Sequence, residues 1–297
     1  VTLSASESVI EGNQITYTAT VNNVSDTNIT VTLDNGKTIT ITAGETSGSI
    51  TVDSRADEYY RQGDQDVTAK ITGVSGGTDL ENLTYDDSAV TTVVKDDSDA
   101  TKATLSVDKT TVEEGSTITY TVTVENAPTD GDLVIKLSNG QEVTIEKGQT
   151  SGSVTFAVRA DDAYKQDNET LSVTLDSVVS GGKEYESLVL DETAVTTVVT
   201  DEPQGGDTPG TEDTTKVTLS ASESVIEGNQ ITYTATVNNA STEAITVTLD
   251  NGETITIAAG ETSGSITVDS RADEYYKQGN QDVTAKITGV SGGTDLE

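Results

Sequence analysis

Apolar and polar residues alternate with a period of two along most of the chain. Ile15, Tyr17, Ala19 and Val21 fall on one side of a segment whose other side is Thr. Ile29, Val31 and Leu33 repeat the pattern, followed by Ile39 with Ile41 and Ile50 with Val52. Side chains of a strand point alternately to its two faces, so this is the signature of half-buried strands. The pattern predicts strands over 1–9, 14–22, 28–34, 37–42, 49–54, 66–74 and 88–95, with Asn35-Gly36 as a tight hairpin turn. Seven short strands with turns at this spacing predict a two-sheet antiparallel, immunoglobulin-like sandwich.

The pattern recurs. Residues 1–81 reappear as 217–297 with eight substitutions. A diverged copy lies between them. It keeps Leu105 for Leu3, Gly115 for Gly12, Tyr120 for Tyr17, Asn139-Gly140 for Asn35-Gly36, and Arg159-Ala160-Asp161 for Arg55-Ala56-Asp57. The fold class is therefore all-β, a tandem array of sandwiches. The expected organisation is a repeat over 1–99, a short join at 100–102, and a diverged repeat over 103–201. A linker follows at 202–215, holding two of the three prolines, then a third repeat over 216–297 without a last strand. The expected reason is simply where the fragment is cut. The alternative is that a neighbouring chain supplies that strand, since an open sheet edge invites pairing.

Composition narrows the chemistry. Hydrophobic residues are 32% of the chain, which suits several thin cores rather than one large one. Fifty-one acidic against 16 basic residues give a formal charge of −35. Nucleic acid needs a positive face, so it is excluded as a partner, and anionic membrane surfaces are disfavoured. No Cys or His is present. Disulfides, the usual zinc, copper and haem ligand sets, and Ser-His-Asp or Cys-His catalysis are absent with them. No apolar run is long enough to span a bilayer.

Strand direction places the acids. If strands alternate up and down, the turns after the first, third and fifth strands share one pole with the end of the seventh. Glu11, Asp34, Asp57, Glu58, Asp64, Asp96, Asp97 and Asp99 then converge where the next repeat begins. The middle repeat does the same with Glu113, Glu114, Asp161, Asp162, Asp167, Asp201 and Glu202. So many carboxylates either stand apart in water as solubility charges or share a hard cation. Calcium takes six to eight oxygens in irregular geometry and suits ligands drawn from several loops. No EF-hand loop is present.

At this point the residues carry a resemblance. GQTSGSVTFAVRADDAYKQDNETLSVTL followed by AVTTVVTDE is similar to calcium-binding Calx-beta and immunoglobulin-like repeats. ATLSVDKTTVEEGSTITYTVTVENAP and LSNGQEVTIEKGQTSGSV resemble the extender repeats of large RTX adhesins of Gram-negative bacteria. The resemblance implies an extracellular spacer, exported by type I secretion, that stiffens in calcium and projects a distal adhesive region. It implies calcium ligands at Glu11, Asp57, Glu58, Asp96, Asp97 and Asp99 in the first repeat. In the middle repeat they would be Glu113, Glu114, Asp161, Asp162, Asp201 and Glu202, and in the third Glu227, Asp273 and Glu274. The partners implied are calcium ions and the adjacent repeats of the same chain. The glycine-rich nonapeptides that name the RTX class are absent from this sequence. A glycan- or protein-binding module is the competing reading, with Tyr59, Tyr60, Tyr275 and Tyr276 as its aromatic candidates. The simpler expectation is that one tyrosine of each pair caps the core and the other packs on the joint. Near-duplicate copies argue against an enzyme.

Overall fold

The computed structural model describes residues 1–201 and 214–296. Of the expected linker, residues 202–213 lie outside the described residues, as does Glu297. The first repeat forms β1 (Thr2–Ala5), β2 (Ser8–Ile10), β3 (Gln14–Thr20), β4 (Ile29–Leu33), β5 (Thr38–Ile41), β6 (Ser47–Asp53), β7 (Gln65–Ala69), β8 (Ile71–Gly76) and β9 (Val90–Lys95). Three sheets result, in the orders β1-β3-β6, β5-β4-β8 and β2-β9-β7. They enclose one core. Ile15, Tyr17, Ala19, Val21, Ile29, Val31, Leu33, Ile39 and Ile41 are all buried, and Ala69, Ile71 and Val94 join them. The alternation read from sequence is thus the alternation of burial: along β3 Ile15, Tyr17 and Ala19 are buried, and Thr16 and Thr18 between them are half-buried.

Two expected strands are each broken in two. The first strand splits at Ser6-Glu7, and its second half, β2, crosses to pair with β9 in parallel. The crossing is tied down: the Ser6 amide donates to Thr16 O at 3.1 Å, and the Thr16 amide donates to Ser6 Oγ at 3.1 Å. Thr92 Oγ1, wholly buried, donates to Ser6 O at 2.7 Å. The sixth expected strand splits at Lys70 into β7, which pairs with β9, and β8, which pairs with β4. Asp34 bridges that break by accepting the Lys70 amide on Oδ1 at 3.0 Å. The sandwich is therefore not purely antiparallel, and Asp34 serves this bend.

The middle repeat forms β10 (Ala100–Val107), β11 (Thr111–Glu113), β12 (Thr117–Val124), β13 (Leu133–Leu137), β14 (Glu142–Ile145), β15 (Ser151–Ala157), β16 (Glu169–Val173), β17 (Leu175–Ser180), β18 (Ser187–Leu190) and β19 (Val195–Thr200). The residues expected as a join, 100–102, are the first residues of β10, where they pair in parallel with β18. The third repeat forms β20 (Val217–Ala221), β21 (Gln230–Val237), β22 (Ile245–Leu249), β23 (Thr254–Ile257), β24 (Ser263–Asp269) and β25 (Ile287–Ser291). Its sheets are β20-β21-β24 and β23-β22-β25, around Tyr233, Ala235, Val247, Leu249, Ile255 and Ile257. The chain is a tandem of β-sandwiches. By contacts it divides into two compact units, one of Val1–Ser106, Thr121–Val154 and Val173–Val195, the other of Val107–Tyr120, Thr155–Ser172 and Thr196–Glu297. No helix among the described residues is long and apolar enough to cross a membrane.

Candidate metal centre

In the first unit the turn between β2 and β3 carries Glu11 and Gly12. Gly12 has φ +73°, and a Cβ there would lie 2.9 Å from the Asp57 Cβ. Only glycine lets the chain turn in this way and lets Asp57 come so close. Gly115 and Gly228 hold the same place against Asp161 and Asp273. The sequence thus builds, at one end of each sandwich, a turn acid beside a loop acid.

The structure brings five of the six expected acids of the first repeat together. Glu11, Asp57 and Asp97 form one group, each offering an oxygen within 4.8 Å of the others. Glu11, Asp96 and Glu186 form a second, and Asp97, Asp99 and Glu186 a third. Glu58 is exposed and joins none of them. Glu186 comes from the segment between β17 and β18 and was not anticipated. A signal existed: Glu81, Glu186 and Glu297 occupy the same place in the three copies.

Arg55 was also missed. It sits among the acids, with Nε on Glu11 Oε2 at 2.5 Å, Nη2 on Asp96 Oδ1 at 2.6 Å and Nη1 on Gly63 O at 2.5 Å. Three of the four arginines recur at this position, which in so acidic a chain was the clue. Arg159 repeats the arrangement on Glu114 at 2.8 Å, Asp201 at 3.3 Å and Asp167 O at 2.8 Å. Arg271 bonds Glu227 at 2.9 Å and Gly279 O at 2.7 Å.

One guanidinium does not balance six carboxylates. Two like charges about 5 Å apart repel by about 3 kcal/mol at an effective dielectric near 20. The strain is visible in proton affinity. Burial pushes Glu186 above the ordinary carboxylate value, and Glu11 and Asp96 push it further. Burial, then the charges of Asp57, Asp97 and Glu11, raise Asp99. The Asp99 amide satisfies Glu186 Oε2 at 2.7 Å. Glu186 Oε1 and Glu11 Oε1, however, are buried with no hydrogen-bond partner. Two buried carboxylate oxygens without a donor call for a proton, a water or a cation, and of these the cation also offsets the surrounding negative charge. The donor set is oxygen throughout, which fits a hard divalent ion such as calcium.

The other expected ligands are placed differently. Glu114 is buried, its Oε1 lacks a hydrogen-bond partner, and burial raises its pKa. Glu113 is exposed at the end of β11, one residue out of register with Glu11. Asp162 is engaged within its loop by the Tyr164 amide at 2.9 Å and Gln166 Nε2 at 2.6 Å, and Asp161 lies against Gly115. Glu202 lies outside the described residues. In the third repeat Glu274 accepts from Gln278 Nε2 at 2.9 Å, Glu227 holds Arg271, and Asp273 sits against Gly228. Among the described residues no group of three acids forms around Glu114 or Glu227.

Tyr60 donates to Ala127 O at 2.6 Å, and its ring centroid is 5.5 Å from that of Tyr185. Arg61 reinforces the contact through the Tyr185 carbonyl at 2.9 Å. In the second unit Tyr164 does the same work, donating to Ala240 O at 2.9 Å and bridging to Leu296. Tyr59, Tyr275 and Tyr276 are exposed.

The LapA domain model matches residues 1–97, 99–202 and 213–297. No curated protein matches the chain. Among solved structures, the fibronectin(III)-like modules of CbhA from Clostridium thermocellum share 15% identity, covering 66% of this chain and 90% of theirs, at a TM-score of 0.21. The titin I9–I11 tandem shares 10%, covering 90% and 87%, also at 0.21. A DUF4785 family protein of Legionella pneumophila shares 12%, covering 86% and 73%, at 0.20. Superpositions at these scores support no functional argument. The family match takes in nearly the whole chain, copy by copy, and on it the chain belongs to the LapA domain family, a family of biofilm surface adhesins.

Proposed function

We propose that this chain is a structural spacer of a surface adhesin, with no catalytic role, whose repeats are stiffened against one another by calcium. The observation that carries this reading is the pair of buried, unpartnered oxygens on Glu11 and Glu186, one from the first repeat and one from the middle repeat. A calcium ion there would be held by Glu11, Asp57, Asp97, Asp99 and Glu186. Asp96 is partly taken up by Arg55 and by the Gln62 amide at 3.1 Å. The ion would supply the positive charge that Arg55 alone does not, and its binding to the folded state would add stability by mass action. At the second pole the same chemistry is supported by Glu114 Oε1. The wider RTX character and export by type I secretion rest on the resemblance of the repeats.

For the glycan-binding alternative Tyr60 is spent on a contact with Tyr185 and Ala127, which leaves Tyr59, Tyr275 and Tyr276 exposed as its candidates. The deciding experiment combines calorimetric melting with electron-spin distance measurement between labels on the first and middle repeats, in calcium and in chelator. Calcium should raise the melting temperature and narrow the distance distribution. No change in either would leave the acids as solubility charges.

A further inference from the structure

The loop that carries Asp57 and Glu58 continues as Tyr59-Tyr60-Arg61, and this continuation pairs with the middle repeat. The Arg61 amide donates to Glu184 O at 2.8 Å, and the Glu186 amide donates to Tyr59 O at 3.2 Å. The two bonds bracket an antiparallel bridge between Tyr60 and Tyr185. Residues bracketed in this way bring their side chains to closest approach, and the two rings meet there. Both hydroxyls end on adjacent carbonyls: Tyr60 donates to Ala127 O at 2.6 Å and Tyr185 to Asn126 O at 2.9 Å. The Arg61 guanidinium completes the seam, with Nε on Tyr185 O at 2.9 Å and Nη2 on Glu186 O at 3.1 Å.

The receiving surface is itself fixed. Glu184 Oε2 accepts the amides of Thr129 and Asp130, each at 2.8 Å, and the Thr129 hydroxyl at 2.7 Å. That clip ties the turn after Asn126 and Ala127 to the segment that pairs with the loop. The second unit repeats the device with different side chains. The Lys165 amide donates to Asp295 O at 3.0 Å, beside a bridge between Tyr164 and Leu296. Tyr164 donates to Ala240 O at 2.9 Å, and Lys165 Nζ donates to Thr294 O at 3.1 Å. Asp295 clips its turn as Glu184 does, through Ser241 Oγ and through the Thr242 amide at 2.7 Å. Tyr185 and Leu296 are unlike, yet both accept the loop. The reason is that Arg61 and Lys165 bond main-chain carbonyls, so the backbone of the neighbour is what they read.

We propose that the Tyr-Arg or Tyr-Lys step of one repeat is a docking clasp for the next, and that it holds neighbouring repeats together without metal. The partner it fits is a repeat offering a short strand segment with free main-chain groups, beside a turn clipped by an acid and ending in a carbonyl for the tyrosine hydroxyl. None of these bonds uses a carboxylate of the acid cluster. Clasp and cluster share Glu186: its amide and carbonyl belong to the clasp, and its side chain reaches Glu11 and Asp96. The clasp thus sets Glu186 against Glu11 with or without an ion. Its service to a metal site rests on the calcium reading above, but the docking does not.

Residue-resolved amide exchange of the whole chain in chelator tests this. The amides of Arg61, Glu186 and Lys165 should exchange at least about a hundredfold more slowly than unstructured amides, and calcium should change them by less than about threefold. Tyr60→Ala should speed Arg61 and Glu186 by at least about tenfold while leaving Lys165 and the core amides of Tyr17 and Tyr120 unchanged, which shows that the sandwiches stay folded. Arg61→Ala, at an exposed position, should speed Glu186 in the same way. Amides at Arg61, Glu186 and Lys165 that are open in chelator and closed in calcium would overturn the proposal, by making the metal the tie. Undiminished protection of Glu186 in both variants would overturn it as well. Protected clasp amides with no response to calcium anywhere would support the clasp and remove the calcium reading, so the two fail separately.

Discussion

Arg55 and Arg271 stand at the same position in two repeats that differ by eight substitutions, yet they live in different electrostatic worlds. The Arg55 side chain is 13% exposed and that of its partner Glu11 not at all, while Arg271 is 31% exposed and Glu227 23%. Nothing in the local sequence, SRADEYY in both, accounts for this. The difference comes from what lies across the arginine. In the first repeat β9 and Asp96 close over it, and Glu186 arrives from the middle repeat. In the third repeat no such strand is among the described residues. The same ion pair is a buried, over-charged knot in one place and a half-exposed surface pair in the other. The burial of this ion pair is therefore set by the strand and the Glu186 segment packed over it, and not by the SRADEYY segment that carries the arginine.

The largest test of this contrast is deletion of the arginine. Arg55→Ala strands Glu11 as an uncompensated buried charge and should cost about 3–5 kcal/mol in urea unfolding of the first repeat. Arg271→Ala should cost about 1 kcal/mol or less, because a half-exposed pair is screened by water. Equal losses would break the comparison. Next in size is the effect of Glu186→Gln. It removes one side of the facing carboxylate pair, so the chelated protein should melt higher while calcium affinity falls at least tenfold by titration calorimetry. Glu81→Gln, at the equivalent exposed site, should change neither. Tyr60→Phe should then lose about 1 kcal/mol with its bond to Ala127 O, and Tyr276→Phe nothing measurable in the same melting assay.

The smallest effect is a pH trend of the chelated protein. Glu186 and Asp99 have folded pKa values above the ordinary carboxylate range. Between the unfolded and the raised values the folded state holds protons that the unfolded state has released, so stability falls as pH rises through that window. Acidification from neutrality toward the carboxylate range should therefore raise the melting temperature, and calcium should abolish the gain. Asp79 and Asp295 act in the opposite sense. Hydrogen bonds from Ser25 and Ser241 hold each at about 2. Their contribution is present above the ordinary aspartate value and is lost as pH falls through about 2.

Much of this was legible in advance. Ile15, Tyr17 and Ala19 mark a buried face because a strand offers its neighbours nowhere else to point, and three copies of that pattern define a tandem array. Glu11, Asp57, Asp96, Asp97 and Asp99 meet because strand alternation sends their turns to one end. The strand breaks at Ser6-Glu7 and Lys70 were not legible, since an alternating sequence does not say which sheet each half will join. Glu113 and Glu114 were both expected as ligands, because adjacent acids are indistinguishable until register decides that Glu114 is buried and Glu113 exposed.

The amino-acid order by itself determined the class of fold, the number of copies and the chemistry available, because period, repetition and the lack of His and Cys are properties of the chain alone. Only the tertiary structure decided which carboxylates are buried, that Arg55 sits among them, and that Glu186 joins them from the middle repeat. Burial and charge coupling are set by neighbours distant in sequence, so they exist only once the strands are in place.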